Sequence, residues 1–262
     1  MSLVTSLNIN HGTVFPVERI QYLMENTEDH DVVMLQEVHP VLLAELKNQA
    51  PAHGWVVHAG ALRVHSRYTY RNVTLTRQEG SILTGDVPGV PIEHQVPYLG
   101  VRVPDMLVFN THFPWGSAAE HERLLSAVFL TEQAAQWADE CLVVLGGDLN
   151  ATPQSSTLRY LHGLDAYQQS STYWTDMWMD VLEPPSTARK TGGWAEDTAL
   201  GAGVRYPERM PDRTIDYLMT YGWNHGKPGD IEYVGLFGSD LNILPNGYSL
   251  SDHHGVTGRI LW

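Results

Sequence analysis

Acids, amides and histidines close short apolar runs along the whole of this sequence, and that pattern limits the fold more than any other feature of it. Asn8 ends the first run. Glu37 follows Val32-Val33-Met34-Leu35-Gln36, and His112 follows Leu107-Val108-Phe109-Asn110-Thr111. Asp148 and Asn150 come after Leu142-Val143-Val144-Leu145-Gly146-Gly147. Asp216 lies within Arg213-Thr214-Ile215-Asp216-Tyr217-Leu218-Met219, and Asp252 and His253 stand just before the last run. Apolar runs of this length, bounded by turn residues, read as strands. The clearest cover residues 4–9, 31–36, 55–59, 68–76, 80–84, 98–103, 106–112, 141–146, 214–220, 231–235 and 255–260. Polar side chains at strand ends can converge on one edge of a sheet, where a rigid scaffold positions a site.

Helices are expected between some of these strands, near 17–28 and 41–49. Ser117-Ala118-Ala119-Glu120 has the capping-box pattern, and Leu124, Leu125, Val128 and Phe129 follow at helical spacing. After Asn150, Thr152 can cap a short helix, Pro153 suits its first turn and Gly163 can end it. Trp174 and Trp178, four apart, fit one face of a further helix packed on the core. The alternative for these two and Trp194 is an apolar wall against the organic part of a substrate. Neighbouring strands that need only short turns predict a single-domain α/β sandwich over residues 1–262, with two largely antiparallel β-sheets flanked by helices. A doubly wound nucleotide fold is disfavoured, because no glycine-rich phosphate loop is present. Residues 183–213 lack a clear period, and long irregular segments of this kind are often functional.

The formal net charge of −14 repels polyanions at long range, which disfavours non-specific binding of nucleic acid. The cations are unevenly placed. Arg63, Arg67, Arg71 and Arg77 fall in a stretch without acids, and Arg189, Lys190, Arg205, Arg209 and Arg213 form a second group. They are either solvated or flank an anionic substrate. The one cysteine, Cys141, rules out an intramolecular disulfide and reads as a buried free thiol. No apolar stretch approaches the ~18–20 residues of a membrane span. The first ten residues lack the charge and apolar pattern of an export signal. A cytoplasmic protein is expected, or one whose signal has been removed. A monomer is expected.

Hydrolysis of a phosphate ester needs neutralised non-bridging oxygens, an oriented water and a proton handler. Oxygen donors such as Glu37, Asp252 and Asn8 suit a hard cation such as Mg²⁺, and a carboxylate-oriented histidine suits proton transfer near neutral pH. The set Ser6-Leu7-Asn8-Ile9, Leu35-Gln36-Glu37-Val38, Asn110-Thr111-His112-Phe113, Gly146-Gly147-Asp148-Leu149-Asn150, Ile215-Asp216-Tyr217 and Ser251-Asp252-His253 resembles the ordered signature of the endonuclease/exonuclease/phosphatase superfamily, which includes deoxyribonuclease I. Any one of these motifs is weak; six in order, each beside a predicted strand, are specific.

The resemblance implies a metal-dependent phosphoesterase working with Mg²⁺ or Mn²⁺. It implies that Glu37 is the principal metal ligand and that Asn8 and Asp252 complete the metal region. Asp148 would position or deprotonate the attacking water, and Asn150 would hold a phosphate oxygen and fix Asp148. His253 would contact the phosphate and transfer a proton, with Asp216 orienting its ring. His112 would supply a second phosphate or leaving-group contact. Two positions depart from the pattern: Asn10 stands where some relatives carry an acid, and Leu7 where an aromatic is common. For Asp148 and Asn150, capping the helix that follows is a competing role. His11 and His39 flank motif residues and read equally as support for the site or as surface.

The shared motifs do not choose a substrate. The acidic balance favours a phosphodiester with a small or lipid-like organic group. The alternative is a nuclease acting on DNA ends or damaged DNA, for which Tyr68 and Tyr70 among the arginines could grip a strand by stacking and charge. A third reading is a non-catalytic relative that binds phosphate or a protein.

Overall fold

The structure is a computed structural model that describes residues 1–65, 68–91, 97–178, 213–224, 228–240, 243–245 and 248–262. In chain order its strands are β1 (Ser2–Asn8), β2 (Val32–Val38), β3 (Val56–Ala59), β4 (Arg63–His65), β5 (Tyr68–Thr76), β6 (Ser81–Gly85), β7 (Tyr98–Val103), β8 (Met106–His112), β9 (Leu142–Asp148), β10 (Trp174–Asp176), β11 (Asp216–Tyr221), β12 (Ile231–Phe237) and β13 (Gly255–Ile260). The α-helices are α1 (Pro16–Glu25), α2 (Pro40–Gln49), α3 (Glu120–Ala135) and α4 (Ser156–Leu161). One sheet has the order β12-β13-β1-β2-β5-β3, with β4 paired to β5; the other has the order β10-β11-β9-β8-β7-β6. Only β1 with β2 and β8 with β9 run parallel among these pairs. This is the expected sandwich of two largely antiparallel sheets flanked by helices.

Strand alternation divides the core in two. Val4, Val32 and Met34 belong to one cluster with Val144, and that cluster continues through the second sheet to Phe109, Leu145 and Ala127 and Leu130 of α3. Leu7, Val33 and Leu35 belong to a second cluster with Ile20 and Leu23 of α1 and Leu42 and Leu46 of α2. Full burial of each such side chain contributes about 1.5–3 kcal/mol. A polar rivet crosses the first layer. Asn110 accepts a 2.8 Å bond from Gln36 Nε2 and donates to the carbonyl oxygens of Val73 (2.9 Å) and Leu35 (3.2 Å).

Several local expectations are corrected. Trp174 and Trp178 are buried, as core packing requires, but Trp174 sits on β10 opposite Tyr221 and not on a helix. Its indole N–H donates to Thr131 of α3 at 3.1 Å, so a tertiary contact outweighs the i, i+4 pattern. Ser117 does not form a capping box. Residues 117–119 make a short 3₁₀ turn, and the Glu120 carboxylate turns instead to the amide and hydroxyl of Thr157 at 2.8 and 2.9 Å. That bond ties α3 to α4. The cap of α4 is Ser155, whose hydroxyl accepts from Leu158 N–H at 3.2 Å, and not Thr152. Cys141 is half-buried, because it stands just before β9. Trp194, Arg67 and the basic residues from Arg189 to Arg209 lie outside the described residues.

Arg77 is a structural residue. Its guanidinium donates to the carbonyl oxygens of Thr27, Glu28, His30 and His53 and lies 3.6 Å over Trp55. The β2–β5 register pairs Val32 with Thr76 and Val38 with Arg71. Arg77 therefore stands at the end of the sheet away from Glu37, whereas Arg63 and Arg71 stand at the Glu37 end.

Candidate active site

Topology brings the predicted polar residues to one edge. β1 and β2 are parallel with Asn8 beside Gln36, so Asn8 and Glu37 leave the sheet together. β8 and β9 are parallel with His112 opposite Asp148, and β11 returns along β9 with Asp216 opposite that same Asp148. β13 runs antiparallel to β1, so the segment entering it arrives beside Asn8, where Ser251 Oγ donates to Asn8 O at 2.6 Å.

Local sequence makes this approach possible. A Cβ on Gly146 would lie 2.2 Å from Met34 Cε, and one on Gly147 would lie 1.9 Å from the Thr111 carbonyl oxygen. The glycine pair lets β9 lie against both β2 and β8 and carry Asp148 into place. Asn10, Glu37 and Asn150 have φ of +62°, +58° and +48°, which side-chain-bearing residues rarely adopt. Strain of this kind gathers at functional sites. Glu37 also sits where the β2–β5 register slips by one residue, a bulge that re-aims its side chain.

The side chains then interlock. Asn8 Nδ2 donates to Glu37 Oε1 and Asp148 Oδ2, both at 3.1 Å, while its Oδ1 accepts from Asn10 N–H at 3.0 Å. Asn8 thus meets the two acids through its NH₂ group. Asn10 Nδ2 donates to Asp252 Oδ1 at 3.0 Å. Asn150 fixes Asp148 through its backbone N–H, 2.9 Å from Oδ1, and its side chain donates to Phe113 O at 3.0 Å. His253 Nδ1 lies 2.9 Å from Asp216 Oδ2. The Nε2 atoms of His112 and His253 both face Asp148 Oδ2, at 3.7 and 3.8 Å, and His112 Nε2 is 3.9 Å from Glu37 Oε1. These separations exceed a direct hydrogen bond and are short enough for one water to bond both partners. All eight predicted residues are therefore joined in one network or face one another across this gap. His39 is not part of it; its Nδ1 accepts from Val41 N–H and caps α2.

Electrostatics sharpen the assignments. Burial alone would push the Glu37 carboxyl up, but the His11 hydrogen bond, the charges of His112 and His11 and the Asn8 amide hold it far below the usual carboxylate range. Burial alone would push His253 down, but the Asp216 and Asp148 carboxylates beside it raise it well above its usual value. Burial, and then the Glu37 charge, push the Tyr70 phenol up to about 12.

Arg19 escaped the sequence reading, whereas Asn10, Tyr70 and Ser251 stood in it without the contacts they make here. Arg19 left a signal, since it shares a face of α1 with Leu23, four residues on, where a cation is out of place. It is fully buried, its guanidinium donates to Gly12 O and Asn10 O at 2.6 and 3.1 Å, and burial lowers its pKa to about 10.

The donor set fits a hard divalent cation. Glu37, Asp148 and Asp252 bring carboxylates to one network, with Glu37 firmly ionised. Asp148, Asp216 and His253 also place one donor atom each within 4.8 Å of one another. In that second group His253 Nδ1 and Asp216 Oδ2 are already paired at 2.9 Å.

Among solved structures, truncated TDP2 from Caenorhabditis elegans is 15% identical over 100% of this chain and 97% of that one, with a TM-score of 0.70. A humanized D. rerio TDP2 is 16% identical over 100% and 99% of the two chains, with a TM-score of 0.71. A family protein from Leptotrichia buccalis is 14% identical over 100% of both chains, at 0.68. At these identities the likeness concerns the fold. No curated protein matches the sequence. Residues 5–253 match the model of the Endonuclease/Exonuclease/phosphatase family, from the strand that carries Asn8 to His253 itself. The chain belongs to that family, whose enzymes are in general metal-dependent phosphoesterases or nucleases.

Proposed function

We propose that this chain is a Mg²⁺- or Mn²⁺-dependent phosphodiesterase acting on a diester with a small or lipid-like organic group. The observation that carries the reading is the gap between Asp148 Oδ2 and the two histidine Nε2 atoms, 3.7 and 3.8 Å away. Glu37 and Asp252 would hold the cation, with Asn8 beside them. A divalent cation bound there would neutralise charge on the non-bridging oxygens and steady the leaving oxygen. Asp148, its Oδ1 fixed by Asn150 N–H, presents Oδ2 to orient the attacking water and accept its proton. His253, with Nδ1–H committed to Asp216, directs Nε2 across the gap to donate a hydrogen bond to the phosphoryl group. His112 Nε2 reaches the same gap from the β8 side and supports a second phosphoryl or leaving-group contact.

Two features support an organic group beside the phosphate. Trp115 follows His112 by three residues and is 70% exposed. Its loop is pinned on both sides of it, with Arg123 donating to Pro114 O and Gly116 O and Asn150 to Phe113 O. An exposed indole on a pinned loop, three residues from His112, offers an apolar platform. The acidic net charge of −14 weighs against a long polyanion. Cleavage at DNA ends is the second reading. It is favoured by Arg63, Arg71, Tyr68 and Tyr70 at the Glu37 end of the sheet, and by the likeness to D. rerio TDP2 solved with a single-strand DNA product.

A substrate panel decides between them. It compares sphingomyelin, a cyclic nucleotide, an inositol phosphate, bis-p-nitrophenyl phosphate, tyrosyl-DNA and supercoiled DNA, each with Mg²⁺, Mn²⁺ or EDTA. The proposal expects metal-dependent turnover with the highest kcat/KM on a small or lipid diester. Highest kcat/KM on tyrosyl-DNA selects the second reading, and no turnover of any member with either metal rejects catalysis.

A further inference from the structure

The two oxygens of Glu37 are held by different partners. Oε1 accepts from Asn8 Nδ2 at 3.1 Å. Oε2 accepts from the His11 backbone N–H at 3.3 Å and lies 2.6 Å from His11 Nδ1. An ionised carboxylate only accepts, so Nδ1 carries the proton and donates. A charge-assisted bond of this length is among the strong ones.

The His11 ring is itself restrained from two directions. One is aromatic: its centroid lies 4.2 Å from that of Tyr68 and 6.4 Å from that of Tyr70. The other is the loop that carries it. Asn10 Oδ1 accepts from Gly12 N–H at 2.7 Å, and the buried Arg19 guanidinium grips the carbonyl oxygens on both sides of His11, those of Asn10 and Gly12. A surface histidine that met a carboxylate by chance would not be clamped in this way.

We propose that His11 is a positioning residue for Glu37: its ring N–H, held by Tyr68 and by the Arg19-braced loop, fixes the carboxylate plane in the orientation that receives the divalent cation. Groups that hydrogen-bond a metal-ligating side chain orient it, and their loss typically costs about 10–100-fold in metal affinity. The inference rests on the reading of Glu37 as a ligand, so its test must separate the two ideas.

The test is Mn²⁺ binding by the full chain, followed by the electron paramagnetic resonance signal of the free ion. Two variants divide the roles of the imidazole. His11→Asn keeps a donor at the Nδ1 position and loses the ring. His11→Phe keeps the ring against Tyr68 and loses the donor. The proposal expects His11→Phe to weaken Mn²⁺ by about 10–100-fold, and His11→Asn to bind nearly as the wild type does. Mn²⁺ affinity unchanged in His11→Phe overturns it. Equal losses in both variants also overturn it, since ring packing and not the hydrogen bond would then matter. If His11→Phe does not fold, His11→Ala replaces it with the same two outcomes. A wild-type chain that binds no Mn²⁺ removes the metal reading and this inference together, whereas normal binding by wild type and His11→Phe alike removes only the inference.

Discussion

Replacing Asp216 by asparagine isolates the proton-handling half of the site. Asp216 is buried and its Oδ2 lies 2.9 Å from His253 Nδ1, so its carboxylate both fixes the ring and holds its positive charge. Asparagine keeps the shape and removes the charge. A hydrogen bond to a charged group contributes about 1.5–3 kcal/mol. If that contribution is fully used in the transition state, turnover falls by about 10–150-fold, at roughly 1.4 kcal/mol per factor of ten. His253→Ala removes the group altogether and should cost ~10²–10⁴-fold. Because Asp216 acts through His253, the double variant should be little worse than His253→Ala alone. The assay is kcat on bis-p-nitrophenyl phosphate at saturating Mg²⁺ for wild type, both single variants and the double. If the two losses multiply, Asp216 does not work through His253. If His253→Ala turns over at nearly the wild-type rate, the role assigned to His253 is wrong.

Three further outcomes follow from other parts of the molecule. Gly147→Ala places a Cβ 1.9 Å from Thr111 O and should lower the urea midpoint by the equivalent of about 1–3 kcal/mol or more, so an unchanged midpoint contradicts the packing described at β8 and β9. Trp115→Ala should raise KM for a lipid-like diester while leaving kcat much less affected; equal KM values remove Trp115 from the substrate platform. His58, buried beside Thr76, has its pKa lowered chiefly by burial. Its folded form therefore resists protonation, and the contribution to stability is full above the unfolded pKa of about 6.5 and is lost as pH falls through the lowered folded value. Urea midpoints at acid and neutral pH should show the difference between wild type and His58→Gln moving in the variant's favour on acidification, and a pH-independent difference counts against the shift.

The sequence carried the site further than it carried the elements around it. Residues that sit at strand ends, such as Asn8, His112 and Asp148, are legible because a strand's end is marked by the polar residue itself and register then aligns neighbours without further information. Strands β5, β7, β8 and β13 were readable to their end residues for the same reason, since long apolar alternation is a local signal. β4 and β10 are three residues each, too short to show a period, and exist because β5 and β11 offer them a free edge. Trp174 misled because a tryptophan pair four apart looks helical, while the bond to Thr131 of α3 that fixes it is 43 residues distant. The role of Arg19 was hidden, and those of Asn10 and His11 were left open, for a related reason. Each depends on a loop whose backbone turns through positive φ at Asn10, and nothing local announces that turn except an asparagine that tolerates it.

The most direct test of the account is turnover of bis-p-nitrophenyl phosphate by the wild type and by Glu37→Gln across a titration of Mg²⁺ and Mn²⁺ from a metal-free start. The account predicts no turnover in EDTA, recovery on adding either ion to the wild type, and a Glu37→Gln curve displaced to higher metal concentration, because the amide keeps the shape but withdraws the charge that holds the cation. Turnover that persists in EDTA, or a Glu37→Gln curve that overlies the wild type at low metal, would contradict it.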